Sequence, residues 1–495
     1  NNAAYSELLN SLKRLDRLES IASLLSWDET VFMPSASQPL RSEQLGHYSE
    51  ILHREASHPR IGELLFLLEQ DDLSAEAAIN VREARKEYDR RTRIPAEFAS
   101  RKAQAQSRGY ALWVEARKAD RYEDFRPALE EHLALAKEEA AYLDKPVPYD
   151  YWIDQFDPGM TRQIIEPIFD VLKSRLKSMV AQILASPSQP DNSIFKGFPL
   201  DRQETFLKEV VAALGFDFSR GRIDSTVHPF CGGHPLDTRM TTRFDENNPL
   251  DSLTSAIHET GHGLYQQGLP DAFAGTALGS PVGMAVHESQ SRIYENQIAR
   301  SRAFWSHWEP RYRALFPEQL KGISSDQLYR AINKVDVTPI RVDADEVTYN
   351  LHIILRFEIE KGLFDGSITP ATLPEAWAAL SEEILGFRPS NNRLGCLQDV
   401  HWSHGMFGYF PSYTLGNVLA AQLWYKIREV LPDLDDQMAA NNYAPLLQWL
   451  RTHVHSKGRR FDTLSFTREV IGQELAPDAL LHYLEERYLS LYTAS

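Results

Sequence analysis

Residues 256–262 read Ala256-Ile257-His258-Glu259-Thr260-Gly261-His262, and no other stretch restricts the fold as much. Two histidines four positions apart share one face of a helix, so both rings can point a nitrogen at a single metal ion. Glu259 then lies beside that ion without ligating it, placed to take a proton from a bound water whose pKa the metal lowers to about 7. The flanks agree with a helix. Pro249, Leu250 and Asp251-Ser252 predict a capped start, Gly268 and Pro270 a stop, and Leu253, Ile257 and Leu264 a packing stripe. The alternative is a buried helix whose two histidines are merely hydrogen-bonded.

A catalytic zinc ion takes three protein ligands and keeps one open position. A metzincin would continue the motif with Gly and His at fixed spacing, but Tyr265 and Gly268 stand there. After the loop Gly279-Ser280-Pro281-Val282-Gly283, a second helical stretch opens with His287-Glu288-Ser289-Gln290 and runs on through Arg292, Ile293, Tyr294 and Ile298. Glu288 follows His262 by 26 residues, enough for one helix to end and another to return antiparallel. It would complete a His2Glu set, with His287 and Glu295 as competing ligands.

Six separated motifs extend the pattern: His228-Pro229-Phe230, Asp237-Thr238-Arg239-Met240-Thr241, the pair at 258 and 262, His287-Glu288-Ser289-Gln290, Ile340-Arg341-Val342-Asp343-Ala344-Asp345, and Gly395-Cys396-Leu397-Gln398-Asp399-Val400-His401-Trp402. The early Trp27-Asp28-Glu29-Thr30 and Met33-Pro34 belong with them. In these motifs the chain resembles the carboxypeptidase Taq family of zinc carboxypeptidases across essentially its whole length. The resemblance implies a mainly helical fold, Glu288 as third zinc ligand, broad side-chain tolerance and a homodimer. It also directs attention to His228, Asp237 and Gln398 as substrate-binding candidates.

Charge excludes one class of partner. Fifty-three basic against 69 acidic residues give a net charge of −16, which argues against nucleic acid, whose phosphates are bound by clustered Lys and Arg. Two cysteines, Cys231 and Cys396, are expected as unpaired small core residues rather than zinc ligands or a disulfide. No signal peptide is recognised at the start and no apolar run approaches the ~20 residues of a membrane span, so a soluble cytoplasmic protein is expected.

The organisation is mostly helical. Leu8, Leu12, Leu15, Leu18, Ala22 and Leu25 recur at intervals of three and four, forming one face of a packing helix. We expect two helical lobes around a deep active-site cleft: residues 1–210 as one wall, 211–430 as the zinc region with a small antiparallel β-sheet beside the metal helix, and 431–495 as C-terminal helices on the same continuous fold. Asp237 to Phe244 alternates and is rich in β-branched residues, so it reads as a strand whose edge could hold an extended peptide. Equally, Asp237 and Arg239 could only tie the sheet to a neighbouring helix.

A carboxypeptidase must also recognise a terminal carboxylate, for which the planar fork of Arg is suited. Arg341 is the first candidate and Arg239 the reserve; the bland reading of Arg341 is a salt bridge to Asp345 at an acidic helix start. For the developing oxyanion the run from His401 to Tyr413 offers Tyr409 and His401, with His404 and Tyr413 behind them. The expected function is release of single C-terminal amino acids from peptides with a free C-terminus. Zinc is the default ion, replaceable by cobalt or manganese. A zinc oligoendopeptidase of similar plan and a catalytically silent binding protein are the alternatives.

Overall fold

The leucine periodicity of the first segment is realised as α1, Asn2–Val31. Leu8, Leu12 and Leu15 are buried, and Leu8 and Leu12 pack with Ile61, Leu64, Leu65, Leu68 and Val81 from the following helices. Each such fully buried aliphatic side chain contributes about 1.5–3 kcal/mol, which is what anchors this half of α1. Toward its other end the periodicity breaks, and Ile21 and Leu24 stay exposed. The computed structural model describes residues 2–227 and 229–493.

Two compact units are present, each assembled from separated segments. The first comprises the chain up to Thr92, Asp191–Ile332 and Ala420–Gln473; the second comprises Arg93–Pro190, Asn333–Leu419 and the chain from Glu474 onward. No helix of the described residues is long and apolar enough to cross a membrane.

In the first unit, α2 (Leu200–Leu214) leads into β1 (Gly221–Ser225), β2 (Cys231–His234) and β3 (Asp237–Thr242). The strand order is β1-β3-β2. β2 and β3 form an antiparallel hairpin, with Cys231 opposite Met240, while β1 runs parallel to β3. The sheet is therefore mixed, where a wholly antiparallel one was expected. The reason lies in the strand order: β3, last in sequence, returns from the β2 hairpin to lie between β1 and β2 in space, and there it runs in the same direction as β1. Two helices follow, α3 (Pro249–Gly268) and α4 (Met284–Arg292), the latter continued by a π-helical turn, Ile293–Ile298. α3 packs on α2, on the sheet and on α4.

The described residues of the second unit form helices joined by loops, without a strand. Its longest buried element, α5 (Tyr349–Asp365), presents fully buried side chains all around its circumference. A helix buried on every side needs its polar residues paired. Glu360 accordingly accepts from the Tyr149 hydroxyl at 2.8 Å, the Trp402 indole at 2.9 Å and the Gly408 amide at 3.2 Å.

Candidate active site

The start of α3 differs by one turn from the sequence reading. Asn248 is the cap, its side chain accepting from the Asp251 amide at 3.3 Å, and Pro249 takes the first helical position, where a missing N–H costs nothing. Asp251 instead pairs with Arg243 at 2.8 Å, and the Ser252 hydroxyl donates to Gln203 at 2.7 Å. Further along, Gly261 faces α4 so closely that a Cβ would lie 2.4 Å from the Gln290 carbonyl oxygen and 2.5 Å from Ser291 Cα. A bare backbone at this position is what lets α4 bring Glu288 up to the two histidines.

His258, His262 and Glu288 offer ligand atoms that all lie within 4.8 Å of one another. Glu288 Oε1 is 3.5 Å from His258 Nε2, and Oε2 is 3.6 Å from His262 Nε2. The other ring nitrogens are fixed from behind. His258 Nδ1 is 2.8 Å from Glu295 Oε1, so it donates and its Nε2 lone pair is left for an ion. His262 Nδ1 lies 2.6 Å from His287 Nδ1. Burial and the His262 ring push His287 down to about 3, keeping it neutral and able to accept. In this geometry the two rival ligands, His287 and Glu295, orient the histidines from the far side.

The charge balance favours a cation. Glu288 is buried, yet His258, Arg292 and His262 hold its carboxyl well below the usual range. Glu295, buried beside Arg292 and His258, is lowered to about 2. Glu259 moves the other way, raised by burial against the pull of the two imidazoles. Burial alone would lower His258, but Glu288, Glu295 and Glu259 carry it up to about 9. Three carboxylates against one guanidinium attract positive charge to the rings, and two imidazoles with a carboxylate are a donor set that fits a divalent ion. Cys231, held protonated by burial and by Glu259, and Cys396 are both unpaired.

In the same unit, Arg239 pairs along its own strand with Asp237 at 2.9 Å and lies 4.3 Å from the centre of the Trp27 ring on α1. They line a cavity of about 490 Å³ between α1 and β2, with Ile21, Leu24 and Phe230 as its apolar wall. β2 is one of the two edge strands. Because Phe230 is bonded to Thr241 on β3, alternation turns the Cys231 backbone groups toward the free edge. His228 lies outside the described residues.

The remaining candidates belong to the second unit. Arg341 is buried, and its partner is Asp399 of the last motif, at 3.0 Å, with the Tyr349 hydroxyl at 3.1 Å and the Tyr413 ring at 5.0 Å. The expected pairing with Asp345 does not form, since Asp345 accepts the Val347 and Thr348 amides at 2.9 Å and caps the turn before α5. Arg356, fully buried, holds the other oxygen of Asp399 at 2.5 Å. Gln398 braces the loop, accepting from the Arg341 amide at 2.9 Å and donating to Pro339 and Leu394 carbonyls. His401 shares a hydrogen bond of 3.1 Å with the Tyr413 hydroxyl, and burial with the nearby Arg341 lowers it to about 3. Tyr409 packs edge-on against Phe156 and Tyr413. His404 instead stacks on Tyr110.

Sequence reasoning missed Arg292, Gly261 as a contact residue, and Asp399 as the partner of Arg341. Arg292 stands four residues past Glu288, so helical spacing alone could have found it; the other two depend on contacts between distant segments.

Residues 7–488 match the family described as Carboxypeptidase Taq (M32) metallopeptidase. Thermostable carboxypeptidase 1 of Thermus thermophilus is 40% identical, with 99% of each chain covered, and Carboxypeptidase 1 of Bacillus subtilis is 37% identical over 98% of each. Among solved structures, the M32 carboxypeptidase of Deinococcus radiodurans superposes with a TM-score of 0.97 at 38% identity, covering 99% of this chain and 100% of that one.

Proposed function

From the premise that the chain belongs to the carboxypeptidase Taq (M32) metallopeptidase family and is a metallocarboxypeptidase, we propose that His258, His262 and Glu288 hold a zinc ion and that Glu259 is its general base. The observation that carries this reading is the convergence of those three ligand atoms within 4.8 Å, with Glu259 between the two histidines in sequence. A zinc ion there would polarise the scissile carbonyl and acidify the attacking water. Glu259 takes the proton of that water on its carboxylate and passes it to the leaving amide nitrogen. Its burial supports this role, because a carboxyl with raised affinity for a proton can carry one between the two partners.

The peptide lies extended against the free edge of β2, held by backbone pairing, with upstream side chains on Ile21, Leu24 and Trp27. Arg341 anchors the terminal carboxylate. Asp399 and Tyr349 fix its Nε and one terminal nitrogen, which leaves the other nitrogen of the fork for the substrate. Tyr409 and His401 are the candidates for contact with the reacting end of the peptide, and a neutral His401 can donate to an oxyanion. Asp237, Arg239, His228 and Gln398 are the further substrate-binding candidates. A homodimer in the cytoplasm completes the reading; two unpaired cysteines suit a reducing compartment.

The test is one peptide offered as free acid and as C-terminal amide, with zinc content measured alongside. The free acid should be cut from its end one residue at a time and the amide left intact. Internal cleavage of the amide would move the chain to the endopeptidase class.

A further inference from the structure

The guanidinium of Arg292 touches two carboxylates with different tasks. Its Nε donates to Glu288 Oε1 at 2.7 Å, and one terminal nitrogen donates to Glu295 Oε2 at 2.9 Å. Glu295 in turn bonds His258 through its other oxygen, at 2.8 Å. The three side chains are largely shielded, with relative exposures of 13%, 6% and 13% for Arg292, Glu288 and Glu295. Charge-assisted bonds in such surroundings are stronger than on an open surface.

The geometry has a specific consequence for Glu288. Oε1, engaged by Arg292, also lies 3.5 Å from His258 Nε2, while Oε2 faces His262 Nε2 at 3.6 Å, so the guanidinium competes with an ion for Oε1 and leaves Oε2 as the stronger ligand. We propose that Arg292 is a positioning residue that limits Glu288 to one ligating oxygen while fixing Glu295 behind His258, so that the rest of the site stays open to water and to the scissile carbonyl. The inference rests on the assignment of His258, His262 and Glu288 as the ligand set. One side chain thereby couples the carboxylate ligand to the orientation of a histidine ligand. The π-helical turn Ile293–Ile298 carries Glu295 directly after Arg292, a kind of irregularity often found at functional sites.

A simple structural ion pair would make a different prediction. If Arg292 only neutralised Glu288 and Glu295, its loss would lower stability and leave the coordination of the ion unchanged. If it rations the oxygens of Glu288, its loss frees Oε1 to join Oε2 as a second ligand. The ion is then retained, its coordination number rises, and turnover falls because room for the reactants is lost.

The experiment uses the full chain with Arg292→Met, which keeps length and removes charge and donors, loaded with cobalt as a spectroscopic probe and with zinc for kinetics. The expected result is metal retained after dialysis against a chelator, weaker d–d absorption per cobalt as coordination rises, and kcat lower by about tenfold to a hundredfold with KM little changed. An unchanged cobalt spectrum with unchanged kcat overturns the proposal, and so does loss of the metal. Should the Met variant fail to fold, Arg292→Lys decides, because an ammonium cannot hold both carboxylates in the same fork: a weakened spectrum supports the proposal and a wild-type spectrum overturns it. Glu288→Ala serves as the separate control. Undiminished metal content in that variant would remove the ligand assignment, whatever Arg292 does.

Discussion

Replacing Gly261 by Ala sets helix propensity against packing. In an isolated helix the change would stabilise by about 1 kcal/mol. Here the new Cβ would sit 2.4 Å from the Gln290 carbonyl oxygen, about 1 Å inside the 3.4 Å at which ordinary contact begins, and 2.5 Å from Ser291 Cα. Both obstacles are backbone, so no rotamer change relieves them, and overpacking of this kind costs about 1–3 kcal/mol. Packing wins, and α4 must move by about 1 Å. Glu288 lies two residues from the collision, and a metal site tolerates about 0.2 Å in its ligand distances. We expect Gly261→Ala to lose zinc on dialysis against a chelator and to lose about a hundredfold in kcat/KM, the scale of a 1 Å misplacement. Gly263→Ala is the internal control: its Cβ would meet Phe216 at 2.9 Å and Met240 Sδ at 3.1 Å, side-chain atoms that can shift. Zinc content by metal analysis, kcat/KM on one peptide and melting temperature decide it. A Gly261→Ala chain with full zinc and normal kcat/KM would refute the claim that this helix contact positions Glu288.

On the proposed ligand set, Glu288→Ala should lower zinc occupancy after dialysis more than His287→Ala, because the first would remove a ligand and the second only the acceptor behind His262; the reverse ranking would make His287 the ligand. Arg341→Lys should lower kcat/KM for free-acid peptides by about tenfold to a hundredfold through loss of the fork. Arg341→Ala should in addition cost about 1.5–3 kcal/mol of stability, measured by urea unfolding, since Asp399 loses one of its two guanidinium partners and keeps Arg356; wild-type kinetics in the Lys variant would remove Arg341 from the anchor role. Burial raises Glu360 from 4.5 to about 7 in the folded protein, against the bonds from Trp402, Tyr149 and Gly408. A carboxyl raised on folding contributes stability that is full below its unfolded pKa and is lost as pH rises through the folded value. Stability should therefore fall between pH 4.5 and 7 by on the order of 3 kcal/mol from this group. Glu360→Gln should flatten that slope in urea unfolding at a series of pH values, and an unaltered slope would contradict it.

The features legible in the sequence are those fixed by local spacing. The helix of His258 and His262, its proline start and glycine stop, the returning helix of Glu288, the strand after Asp237 and the packing face of α1 all follow from periodicities within one element. What escaped depends on which distant segments meet. Arg341 precedes Asp345 closely in sequence, yet it binds Asp399, 58 residues away, because Asp345 is taken up by the amides of its own turn. β1 joins β3 in parallel because of the path its connection takes, which strand propensity does not encode. Glu295 has the chemistry of a ligand, and its place behind His258 is settled only by the docking of α4 against Gly261.

In the proposed reading Glu259 acts beside a metal held by three other residues. Glu259→Gln, nearly the same size and unable to accept a proton, should bind one zinc per chain as the wild type does, keep its melting temperature and lose nearly all turnover of a free-acid peptide. Zinc stoichiometry and kcat measured on the same preparation give the answer. Full zinc with kcat reduced by about a hundredfold or more is the expected result. Full zinc with at least a tenth of wild-type turnover would mean that another group moves the proton, and the general-base role of Glu259 would be wrong.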